Sequence, residues 1–135
     1  MILVDTSVLI DFFKGATNES AQKFSSILKK KIPFGINAFI YQEILQGAKS
    51  EKEYELLKRY LMDLQFYYPK HPVDSFEKAA RIYFDCRKKG ITIRSTIDCI
   101  IAQTAIEHNL LLLHNDKDFE AMSGVIPSLK FYSDA

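Results

Sequence analysis

The feature that most constrains this chain is the alternation of very short β-branched or leucine-rich runs with longer stretches of helical apolar spacing. Ile2-Leu3-Val4 runs directly into Asp5-Thr6-Ser7, which predicts a buried strand meeting a helix start. A helix is expected over 18–31, with Ala21, Phe24, Ile27 and Leu28 on one face, and a second short strand over 33–36. Asn37 can cap the next helix, because its side-chain oxygen accepts an orphan amide of the first turn, and Gly47 suits its end. Ser50 and Glu53 form a capping-box pattern ahead of the stripe Tyr54, Leu57, Leu61 and Leu64, and Tyr67-Tyr68-Pro69 reads as an edge strand.

From Val73 a long amphipathic helix is expected to carry Phe76, Ala79, Ala80, Tyr83 and Phe84. It ends at Arg87-Lys88-Lys89-Gly90, where cations meet the negative end of the helix dipole. Ser95 or Thr96 caps a further helix holding Ile97, Ile101, Ala102 and Ala105, and Asn109 breaks it. The continuous apolar run 110–113 reads as a strand covered on both faces, and 130–132 as a last strand. Strands and helices alternating at these lengths predict an α/β fold with a mostly parallel sheet. With no linker, repeat or low-complexity stretch, residues 1–135 read as a single domain.

At 47% apolar and 26% charged residues, a 135-residue chain should bury about two-thirds of its unfolded surface and needs no disulfide or structural metal to fold. Cys86 and Cys99 sit in apolar segments without a CxxC pairing and read as buried free thiols. Neither a basic apolar leader nor an apolar run approaching the ~18 residues of a membrane span is present, so the expected location is cytoplasmic. The formal charge of +1 gives no global field toward nucleic acid, and any such partner must be argued from local features.

Ligands of open parallel sheets bind where strand ends meet helix starts, because the loops diverge there. Asp5 and Asp116 occupy such places, after the first strand and just beyond 110–113. Each acid also has a plain structural reading. Asp5 caps its helix, Asp98 is the third residue after Ser95 in a capping box, and Asp116 or Asp118 opens the helix containing Phe119. Glu43, inside its helix among Ile40, Ile44 and Leu45, fits a capping role poorly, although its carboxylate can reach water as a surface group. If the carboxylates converge, their repulsion calls for a cation, and an all-oxygen donor set without His or Cys clusters selects a hard one, Mg²⁺ or Mn²⁺.

Four segments together carry a resemblance. They are Ile2-Leu3-Val4-Asp5-Thr6-Ser7-Val8-Leu9-Ile10-Asp11, Gln42-Glu43-Ile44-Leu45-Gln46-Gly47, Ser95-Thr96-Ile97-Asp98-Cys99-Ile100-Ile101-Ala102, and Leu112-Leu113-His114-Asn115-Asp116-Lys117-Asp118-Phe119. In this order and nearly end to end, the chain resembles the PIN-domain nucleases, and among them the VapC toxins of VapBC toxin-antitoxin pairs. The resemblance implies a PIN-like α/β/α fold, with Asp5, Glu43, Asp98 and Asp116 as catalytic acids holding a divalent metal. It implies an endoribonuclease that hydrolyses RNA with metal-activated water, with Thr6 or Ser7 supporting the metal shell and Asp118 beside it. It also implies a homodimer and a VapB-like antitoxin. Many members of the family carry Thr where His114 stands.

Lys14 and Arg94 are the cations best placed to meet RNA, whereas Lys29-Lys30-Lys31 and Arg87-Lys88-Lys89 fall at helix ends that dipole complementation explains equally well. Seven Tyr and ten Phe exceed what one core of this size takes, which points to a protein interface. Three other functions fit the same class of fold: an RNA-processing nuclease without an antitoxin, a non-catalytic signalling module of receiver type, and a PIN-like fold that has lost chemistry and only binds partners. The second needs a phosphate-accepting Asp after a central strand, and Phe66-Tyr67-Tyr68-Pro69-Lys70 supplies none.

Overall fold

The computed structural model describes residues 1–133, so the last two residues of the expected 1–135 domain lie outside the described ones. It contains a four-stranded, wholly parallel sheet in the order β3-β2-β1-β4, formed by β1 (Ile2–Val4), β2 (Phe34–Ile36), β3 (Gln65–Phe66) and β4 (Leu111–Leu113). Around it lie α1 (Thr6–Phe13), α2 (Glu19–Lys29), α3 (Ala38–Gln46), α4 (Glu51–Leu61), α5 (Asp74–Lys88), α6 (Thr96–Glu107) and α7 (Lys117–Val125). This is the α/β/α arrangement expected from the alternation of runs. Leu3, Val4, Ile36 and Leu112 are fully buried, as a sheet covered by helices requires.

The helix starts follow the sequence closely. Asp5, Asn18, Asn37, Ser50, Ser95 and Asp116 each accept a first-turn amide of the helix they precede. Glu53 reaches back to the Lys49 amide at 3.3 Å, one residue before the Ser50 cap. Gly90, at φ +79, takes the left-handed conformation that ends α5.

Four expectations are corrected. The edge strand is Gln65–Phe66 rather than 67–69, because β2 offers it only Gly35 and Ile36 as partners; Tyr67 adds one further bond, its amide to the Ile36 carbonyl at 2.8 Å. The segment 130–132 forms a single bridge, Phe131 to Leu112, instead of a full strand. That bridge shields part of the sheet edge, yet Leu111 on β4 remains exposed. On α5 the buried stripe is Ser75, Ala79, Ile82 and Cys86, so Phe76 and Phe84 face outward. Phe13, Tyr54, Tyr60 and Tyr68 are exposed as well, in keeping with more aromatic area than one core takes up. Cys86 and Cys99 are buried free thiols.

In β2, between β1 and β3, Gly35 has no room for a Cβ. A Cβ there would lie 2.6 Å from the Gln65 carbonyl oxygen and 2.6 Å from the Tyr67 ring. Gly35→Ala should therefore destabilise the fold by about 1–3 kcal/mol through forced overpacking. Urea unfolding checks this, and an unchanged midpoint would refute the close approach.

Candidate metal centre

Every strand of a parallel sheet ends on the same side, and the order β3-β2-β1-β4 makes β1 the strand from which the chain leaves in both directions. A crevice opens at such a switch point, outside the ends of β1 and β4. The Asp5 amide donates to the Leu113 carbonyl at 2.9 Å, which clamps these two ends together. Asp5 follows β1, Asp116 begins α7 after β4, Asp98 lies in the first turn of α6, and Glu43 comes from the middle of α3.

Carboxylate oxygens of Asp98, Asp116 and Asp118 lie within 4.8 Å of one another. Octahedral coordination at ~2.1 Å places ligand oxygens about 3–4 Å apart, so this trio fits a hard divalent ion with little movement. Asp5 and Glu43 lie outside this trio, but both oppose the charge on Asp98. The Thr6 hydroxyl donates to Glu43 Oε1 at 2.9 Å, and the Ser7 hydroxyl and amide donate to Asp5 Oδ2 at 2.7 and 3.1 Å. The sequence-predicted acids thus meet on one edge. Asp118, expected only as support, is the acid that completes the compact trio.

The electrostatics show a shortage of positive charge. Asp5 is raised to about 6, chiefly by burial and further by Glu43, against the lowering effect of the Ser7 bonds. Asp98 is raised to about 7, first by burial and then by Asp5, Asp116, Glu43 and Asp118. Asp98 thus feels the charge of all four other acids. A divalent cation is the neutralising group such a donor set fits.

One resident cation is Arg94. Its backbone amide and Nε donate to Asp118 Oδ2 at 3.0 and 3.2 Å, and a terminal nitrogen reaches Asp116 Oδ1 at 3.3 Å. These bonds, with Asp118 the largest cause, raise the guanidinium pKa further. The Arg94 side chain remains 73% exposed, at the rim of the acids. Lys14 caps the far end of α1 and is exposed, with no ion pair among the described residues.

His114 is buried between the rings of Phe119 and Phe131. Burial lowers its pKa, against Glu120 and Asp116. Its Nδ1 accepts the Asp116 amide at 3.1 Å, so the neutral ring carries its proton on Nε2, which faces Glu120 at 3.5 Å. At the sequence level a lone histidine at a strand end, as His114 is, reads as structural sooner than as an aid to proton transfer, and the contacts of Asp11 and Asn115 were missed. The Asn115 side chain donates to Asp11 Oδ2 at 2.9 Å, and its amide donates to Ser7 Oγ at 3.0 Å. A partner 104 residues away leaves no local signature.

Comparison with known proteins follows the same lines. Residues 2–125 match the family model for the PIN domain. A VapC ribonuclease of Mycobacterium bovis and the ribonuclease VapC11 of Mycobacterium tuberculosis are each 32% identical over 126 residues, covering 93% of this chain and 93% of theirs. Among solved structures, VapBC2 of Rickettsia felis bound to a DNA fragment from its promoter matches with a TM-score of 0.72 at 21% identity, over 98% of both chains. A toxin-antitoxin complex from Klebsiella pneumoniae matches with a TM-score of 0.68 at 24% identity, over 97% of this chain and 100% of that one. At these identities the structural likeness is one of fold.

The raised carboxylates have a thermodynamic consequence. With a folded pKa near 7 for Asp98 and near 6 for Asp5, the folded state binds more protons than the unfolded one between about pH 4 and 7. Stability from these groups is therefore full at the acid end of that window and is lost as pH rises through it. In chelator, melting temperature should fall from pH 5 to pH 8, and Asp98→Asn should flatten the fall and melt a few degrees higher at pH 8. Thermal melts across that range check it; a variant that melts lower at pH 8 would contradict the repulsion.

Proposed function

The chain belongs to the PIN-domain family, and from that premise we propose that it is a metal-dependent endoribonuclease, the toxin of a toxin-antitoxin pair, in a single domain spanning 1–135. The observation that carries this reading is 32% identity with VapC ribonucleases along nearly the full length of both chains, in a chain whose scattered acids meet at the switch point of its sheet. Within the family, the proposed catalytic and metal-holding residues are Asp5, Glu43, Asp98 and Asp116, with Thr6, Ser7 and Asp118 in support.

A bound Mg²⁺ or Mn²⁺ would supply an acidified water as nucleophile and a counter-charge for the phosphoryl oxygens. The chain's own groups prepare the place. Asp98 and Asp116 present oxygens from two different elements, so the site forms only when α6 and the β4–α7 segment are both in position. Asp5 Oδ2 is held by Ser7 and Glu43 Oε1 by Thr6, which fixes these carboxylates without an ion. Both bonds that Asp116 accepts fall on Oδ1, from Arg94 and from the Asp118 amide. Asp118 orients the Arg94 guanidinium at the rim, where an exposed planar fork suits an RNA phosphate. Lys14 is the second phosphate contact in this reading.

The exposed aromatics on α1, α4 and α5 fit protein partners: a second copy of the chain and a VapB-like antitoxin. Among the described residues no helix is long and apolar enough to cross a membrane, and the reading places the nuclease in the cytoplasm with its RNA.

Purified protein should cut RNA in Mg²⁺ or Mn²⁺, and chelator, Asp5→Asn or Asp98→Asn should abolish cutting. Full activity in either variant would overturn the assignment. Mapping new 5′ ends in cellular RNA after brief induction, beside an Asp98→Asn control, would identify the target. Growth that continues unchanged during induction, with RNA cut in vitro, would leave a nuclease that is not a toxin.

A further inference from the structure

The segment from His114 to Asp116 is irregular, yet several ties hold it to other elements. Asn115 uses its backbone amide on Ser7 Oγ at 3.0 Å and its side-chain amide on Asp11 Oδ2 at 2.9 Å. The same Asp11 oxygen accepts the Asn18 side chain at 2.9 Å. The Ser7 hydroxyl in turn donates to Asp5 Oδ2 at 2.7 Å. A continuous path therefore runs from Asp5 through Ser7 and Asn115 to Asp11, and Asn115 is covalently next to Asp116.

Asp11 has no helix-local reason for its charge. It sits in the last turn of an eight-residue helix, where the dipole opposes a carboxylate. Among the described residues it has no salt bridge, and its partners are two neutral side-chain amides. Bonds this exposed contribute little net stability. The effect of the Asn115 bond is geometric: with the Asn115 amide on Ser7, it gives the β4–α7 segment a second point of attachment to α1.

We infer that Asp11 and Asn115 are positioning residues that set the separation of Asp116 from Asp5, an inference that rests on the nuclease reading of this site. Asn115 ties the segment after β4 to α1 through Ser7, and Asp11 in the last turn of α1 anchors its side chain. Neither residue belongs to the acid cluster that would hold the ion. Losing the tie lets the Asp116 segment drift, and displacement of about 1 Å at a reacting centre is enough to cost on the order of 100-fold in rate.

The test compares wild type with Asp11→Ala, Asn115→Ala and Asp11→Asn by Mn²⁺ titration calorimetry, circular-dichroism melts, and kcat and KM on an RNA that the wild type cuts. Asp11→Ala and Asn115→Ala should fold, bind Mn²⁺ about tenfold more weakly and lose about tenfold or more in kcat, as outer partners of metal ligands do. KM should stay within about twofold, because substrate contacts are untouched. Asp11→Asn keeps an accepting oxygen and should stay within about threefold of wild type in both Mn²⁺ affinity and kcat. Wild-type Mn²⁺ affinity in both alanine variants would overturn the inference. So would an Asp11→Asn variant as impaired as Asp11→Ala, since the charge rather than the hydrogen bond would then matter. If Asp11→Ala fails to fold, Asn115→Ala at its exposed position carries the comparison. If wild type binds Mn²⁺ but cuts no RNA, the nuclease reading falls while the Mn²⁺ comparison still decides the positioning role.

Discussion

Everything in this molecule is arranged around carboxylates that repel one another at the shared end of a parallel sheet. Pairing β1 with β4 puts Asp5 beside the strand end that leads to Asp116, and the Asp5 amide bond to the Leu113 carbonyl locks the two ends together. The apolar core, from Leu3 and Val4 through Ile101 and Leu112 to Phe119, supplies the stability against which this repulsion is held. A sheet of antiparallel strands would send consecutive strand ends to opposite sides, and the same residues would not meet.

The hydrogen-bond donors are shared out unevenly, and the unevenness is informative. Asp5 has Ser7, Glu43 has Thr6, and Asp116 and Asp118 have Arg94. Asp98 has no side-chain hydrogen bond among the described residues. Asp5 is almost wholly buried and Asp98 only half-buried, yet both are strongly raised, with burial the first cause in each. The Ser7 bonds work against the rise at Asp5, whereas Asp98 faces four other acids with no such donor.

Sequence patterning carries further for the frame than for the site. Five of the seven helix starts were legible because a capping side chain acts within three residues, those of α2 and α5 from apolar spacing, and β1, β2 and β4 from their apolar runs. β3 was not, since two residues pairing with Gly35 and Ile36 have no pattern of their own. The stripe on α5 was misread by a fraction of a turn, because Phe76 and Phe84 outrank Ser75 and Cys86 in hydrophobicity while the packing against α6 selects the smaller residues. For the acids, chain position identified members but not partnerships. Asp118 reads as an ordinary first-turn helix residue until the fold brings the Arg94 backbone and guanidinium onto it.

His114 shows how the core reaches into the site. Its ring packs between Phe119, which anchors α7 at full burial, and Phe131, whose bridge to Leu112 covers the edge of β4. That packing keeps the ring neutral, and only a neutral ring offers Nδ1 as an acceptor for the Asp116 amide. A threonine at this position can accept the same amide through a smaller side chain, but it would leave the space between the two phenyl rings unfilled. The histidine and the two phenylalanines therefore act as one packing unit, and the backbone that presents Asp116 is fixed by apolar contacts behind it as well as by polar contacts beside it.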